Sequence, residues 1–105
     1  MELELSTDQT EYGEPIAVIG SGSITWSLEK QQAELLKETL ETLADGLDCV
    51  EFEGRPGGYH DSGNWIVERE GIKLKLSITE GVRLHNFLAE FIAGEPIADI
   101  YGFLD

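Results

Sequence analysis

Residues 27–46 read SLEKQQAELLKETLETLADG, and the period of this stretch decides the fold. Leu28, Leu35, Leu36, Leu40, Leu43 and Leu47 cover one broad face at helical spacing. Glu34, Glu38, Glu41 and Asp45 follow a 4-3-4 spacing and fall on the opposite face. Ser27 is placed to cap the helix N-terminus and Gly46 to end it. Lys30 and Lys37 lie beside the acidic stripe, each four residues before a glutamate. That orientation is the weaker one for a helical ion pair, worth about 0.3 kcal/mol at most.

Strand patterns flank this helix on both sides. Leu3 and Leu5 alternate with Glu2, Glu4 and Ser6, as in a half-buried strand with an acidic outer row. Residues 16–19 and 24–26 are β-rich runs joined by Gly20-Ser21-Gly22-Ser23, which reads as a hairpin. After the helix, Val50 and Phe52 alternate with Glu51 and Glu53, predicting a strand over 48–53 with a second acidic row. Residues 54–63 hold four glycines and a proline and read as an exposed loop. Residues 65–70 and 72–78 form a hairpin around Glu70-Gly71, with Ile72, Leu74, Leu76 and Ile78 facing the core. Thr79 is placed to cap a second helix, from Glu80 to about Ala93, whose apolar face uses Val82, Leu84, Phe87, Leu88, Phe91 and Ile92. Gly94 and Pro96 stop it, and residues 97–104 form an apolar tail that packs back or meets a partner.

The order is therefore βββ-α-βββ-α in a single domain, 1–105. The expectation is an α+β fold: one antiparallel sheet of about five to six strands with two helices on one face. No internal repeat, leader or linker stands out. The single cysteine, Cys49, excludes an internal disulfide and suits a reducing, cytoplasmic setting. No apolar run approaches the roughly 20 residues a membrane span needs.

Charge is the strongest functional signal. The chain carries a formal net charge of −14. Residues 1–53 hold thirteen acidic and two basic residues; residues 54–105 hold eight and five. Such a chain repels nucleic acid and is drawn to basic surfaces. A solvated helix face, high solubility or adaptation to salt would also use carboxylates, but none requires the missing counter-charges. The 34–45 stripe spans roughly 16 Å of helix axis. Duplex DNA carries about ten charges over that length, at one per ~1.7 Å. The stripe matches that density only if Glu2, Glu4, Asp8, Asp48, Glu51 and Glu53 share its surface.

Chemical motifs are weak by comparison. His60, Asp61 and Ser62 have the residue types of a nucleophilic triad, but near-consecutive residues cannot place the base between nucleophile and orienter. His60 and Asp61 with Cys49 or His85 lack paired metal-ligand spacing. Gly20-Ser21-Gly22-Ser23 lacks the lysine of a phosphate loop, and His85 reads as a boundary residue. No enzyme, cofactor or metal site is expected. Tyr59 and Arg55 in the glycine-rich loop are residue types that anchor interfaces.

In size and charge, across the whole chain and through no motif, the profile is similar to the small acidic inhibitors that phages and mobile elements encode against host nucleases, anti-CRISPR and anti-restriction proteins among them. That resemblance implies a nucleic-acid mimic that fills the groove of a basic nuclease or CRISPR effector and evades host defence. Glu34, Glu38, Glu41 and Asp45 would carry the contact, with Glu51, Glu53 and Tyr59 beside them. Two alternatives are an immunity or antitoxin protein that neutralises a basic toxin, and a small assembly protein that homodimerises through its apolar tail.

Overall fold

The computed structural model describes residues 3–94, and the apolar tail 97–104 lies outside them. Eight elements follow in the order β1 (Leu3–Gln9), β2 (Pro15–Ser21), β3 (Ile24–Leu28), α1 (Lys30–Ala44), β4 (Gly57–Asp61), β5 (Asn64–Arg69), β6 (Ile72–Leu76) and α2 (Ile78–Ala93). The expected α+β class holds, with six strands and two helices among the described residues, but the fourth strand lies at 57–61 and not at 48–53. The single sheet does not hold: β1-β2-β3 and β4-β5-β6 form two separate antiparallel sheets. Side chains rather than backbone bonds bridge the sheets, with the Arg69 guanidinium 5.5 Å from the Trp26 ring centroid.

The two halves repeat one design, a repeat that the sequence reading does not detect. In β2–β3, Ala17 pairs with Leu28 and Ser21 with Ile24; in β5–β6, Trp65 pairs with Leu76 and Arg69 with Ile72. Each pair in the second hairpin lies 48 residues after its counterpart. The match continues into the helices, where Gln32 Oε1 accepts from the Glu29 N–H at 2.9 Å and Glu80 Oε1 from the Ser77 N–H at 2.9 Å. These contacts tie down orphan amides at the helix starts. Glu29 and Ser77 are therefore the N-caps, not Ser27 and Thr79, and Leu28 belongs to β3. Both helices end at glycines with φ +83°, Gly46 and Gly94.

Each helix packs on the second and third strands of its own half and reaches the first strand of the other. Thr39 of α1 donates to the Pro56 carbonyl at 2.6 Å, and Arg83 of α2 donates to the Leu3 carbonyl at 2.8 Å. One core results, with Ile19, Trp26, Leu36, Leu40, Val67, Leu74, Leu84 and Leu88 at its centre.

The predicted strand 48–53 and loop 54–63 are both redrawn. β4 forms inside the predicted loop by pairing with β5, and it passes so close to α1 that a Cβ at Gly58 would meet Leu43 and Thr39. Residues 49–58 form an irregular hairpin turning at Glu53-Gly54, both at positive φ. Cys49 exchanges two hydrogen bonds with Gly58, and Phe52 exchanges two with Arg55. Hydrogen-bonded pairs in a regular antiparallel ladder recur every two residues. These two are three apart, and Pro56 between them has no N–H, so the ladder breaks. Val50, Phe52 and Leu47 consequently lie exposed rather than in the core, as do Ile72, Ile78 and Val82.

Candidate acidic interface

α1 buries Ala33, Leu36, Leu40 and Leu43. Helical geometry then points Glu34, Glu38 and Asp45 straight outward, and all three are exposed. Glu41 leans toward α2 instead. Its Oε2 lies 2.8 Å from the Lys37 ammonium and 3.0 Å from His85 Nε2. Those contacts, His85 first and Lys37 second, hold its carboxyl below the ordinary range.

The C-terminal end of the stripe opposes the helix dipole. No acidic residue occupies the first turn of α1 and no basic residue the last, while Asp45 is the C-cap. An anion there costs about 0.3–1 kcal/mol. His60 offsets part of this cost. Its Nε2 donates to the Leu43 carbonyl at 2.9 Å and its Nδ1 lies 2.8 Å from Asp48. The Asp48 contact chiefly, and the Leu43 carbonyl next, raise the His60 pKa above 6.5. The protonated ring, donating from both nitrogens, fits these partners best. His60 is thus a clamp between α1 and β4 rather than a member of a triad.

Glu51 and Glu53 adjoin the α1 flank across a shallow groove of about 280 Å³, lined also by Gln31, Leu35 and Arg69. Glu51 Oε2 accepts from the Glu70 N–H at 2.9 Å, so it also ties the hairpin to the β5–β6 turn. Glu53 sits exposed at the hairpin tip. Glu4 and Asp8 do not join this surface. Glu4 alternates with buried Leu3 and lies against Gly20 on the face of the sheet turned away from the helices. Asp8 lies at the end of β1 beside Phe87 and Glu90 of α2. Glu2 is outside the described residues. Tyr59 points away from α1, since its neighbour Gly58 faces that helix, but it shares a second groove with Asp48, Val50, Glu51 and Glu68; the Lys73 ammonium lies 5.7 Å from its ring.

The sequence reading missed the apolar part of this surface. Leu47, Val50 and Phe52 are 60%, 77% and 59% exposed, interleaved with Asp48, Glu51 and Glu53. Nothing in the alternation separates this exposed hairpin from a buried strand; Pro56, seven residues after Cys49, is the available hint.

Several of the seven lysines and arginines are engaged in other contacts. Among the described residues, Lys37–Glu41 is the single lysine or arginine ion pair. Arg69 lies over Trp26, Lys73 over Tyr59, and Arg83 binds a backbone carbonyl. Among the described residues, no three His, Cys, Asp or Glu side chains are grouped to hold a metal ion, and no helix is long and apolar enough to cross a membrane. No family model, curated protein or solved structure matches the chain.

Proposed function

We propose that this chain is an acidic binding protein that docks on a lysine- and arginine-rich groove of a nucleic-acid-handling protein and blocks it. The observation that carries this reading is the surface formed by α1 and residues 47–53. α1 presents Glu34, Glu38 and Asp45 outward, and the segment that follows it presents Glu53 with the exposed Leu47, Val50 and Phe52; among the described residues none of these four carboxylates is in an ion pair. Carboxylates supply long-range attraction to a basic groove, and apolar side chains supply the desolvated contact. Asp45 at the C-cap runs against the helix dipole, so helix stability alone does not select it.

The split of acidic residues between surfaces narrows the proposal. With Glu4 turned away and Asp8 beside α2, this surface carries fewer charges than duplex DNA over the same length. The fit is to a short run of phosphates with an apolar anchor, not to a continuous duplex. Anti-defence inhibition of a nuclease or CRISPR effector is the role this surface suits best. The test is the dissociation constant of an isolated partner between about 50 and about 500 mM salt, where the Debye length shrinks several-fold. The proposal expects affinity to fall by at least about tenfold, and a flat dependence overturns it.

A further inference from the structure

We infer that the outer edge of β1 is the docking site of the chain's own C-terminal segment, with Ile97 paired to Leu5. The internal repeat carries the argument. In the first half, the chain leaves α1 at Gly46, and three residues later Cys49 pairs with Gly58 on the outer edge of β4. The same segment runs on through Val50 and Glu51 to Phe52. In the second half, the chain leaves α2 at Gly94, at the same φ of +83°. Three residues later it reads Ile97-Ala98-Asp99-Ile100, against Cys49-Val50-Glu51-Phe52. Both segments run apolar, apolar, acidic, apolar.

The receiving strand is equivalent too. Gly58 pairs with Val67 of β5, and Leu5 pairs with Ile19 of β2, 48 residues before Val67. Leu5 therefore occupies the place on β1 that Gly58 holds on β4. Cross-contacts agree with this alignment: the carbonyl two residues before each position, Pro56 or Leu3, is bound by the other half's helix. A groove of about 600 Å³ opens beside this edge, lined by Thr7, Asp8, Gln9, Phe87, Phe91 and Gly94. Gly94 is where the segment departs. Three residues reach about 10 Å when extended, the span that the first half bridges with the same number. A segment seated there would cover apolar ring surface and shield a strand edge that otherwise invites intermolecular pairing.

The experiment is amide hydrogen exchange and cross-strand nuclear Overhauser measurement on the full-length chain. An isotopically mixed sample separates contacts within one molecule from contacts between two. The expected result is a Leu5–Ile97 contact within one molecule and a Leu5 amide protected at least about 100-fold. Ile97→Asp should lower that protection at least about tenfold while the Ala17 amide keeps its own, a pattern that general unfolding would not give. A Leu5 amide exchanging at the unprotected rate, or a Leu5 contact seen only between molecules, overturns the inference.

Discussion

Gly81 offers the sharpest test of how α2 packs on β5 within the second half. In an ordinary helix interior, Gly→Ala gains about 1 kcal/mol from propensity. Here a Cβ at position 81 would overlap Cε3 and Cζ3 of Trp65, an indole that is 5% exposed and cannot swing into solvent. Overpacking a close-packed core costs about 1–3 kcal/mol, and overlap with two ring atoms belongs at the upper end. Packing therefore wins, and Gly81→Ala should destabilise by about 2 kcal/mol. The repeat supplies the control. The positions 48 residues earlier are Ala33 and Ala17, both fully buried, so the first half accepts a methyl where its strand residue is small. Gly81→Ala made in a Trp65→Leu background should then be stabilising by about 0.5–1 kcal/mol. Urea unfolding followed by far-ultraviolet circular dichroism would read both changes as shifts of the midpoint at constant slope. The coupling energy in this double-mutant cycle should be about 2–3 kcal/mol. A Gly81→Ala protein as stable as the parent, with Trp65 present, would refute the reasoning.

Further consequences concern the contacts around β4. Thr39 is fully buried and donates to the Pro56 carbonyl, so Thr39→Val should cost about 1–3 kcal/mol in urea unfolding by stranding that acceptor. The folded-state pKa of His60 is raised, so its stabilising contribution is full below pH 6.5 and is lost as pH rises through the folded value. The urea midpoint should fall across that window, with Asp48→Asn flattening the fall and an NMR titration of the His60 ring giving the pKa directly.

The element order was legible because it rests on long periodic segments. Leu35, Leu36, Leu40 and Leu43 admit one helix, although Leu28 falls in β3 and Leu47 beyond the helix end, and alternation around Gly22 and Gly71 admits hairpins. The stretch 48–63 was misread because its meaning depends on tertiary contact. Gly57 and Gly58 look like loop residues, yet they are glycines because the backbone of residues 49–51 and the side chains of α1 leave no room for a Cβ. Val50 and Phe52 look like core residues, and Pro56 breaks the ladder that would have buried them. The repeat was hidden by exchanges that keep the packing but not the residue types, such as Ala17 with Ala33 in one half against Trp65 in the other, where Gly81 makes room for the larger ring. At the site, the 34–45 stripe was legible from spacing alone. The diversion of Glu41 to His85 was not, because that contact joins residues 44 positions apart.

The central claim is that the α1 carboxylates compete with nucleic acid for a basic groove. The most direct measurement is displacement of the bound partner by duplex DNA, comparing the parent chain with Glu34→Gln/Glu38→Gln/Asp45→Asn at about 50 mM salt. All three side chains are exposed and unpaired, so the triple variant should keep its fold. The account predicts that DNA displaces the parent and that the triple variant binds at least about tenfold more weakly, mainly through slower association. Equal affinity of the two chains, or a complex that DNA leaves intact, would contradict it.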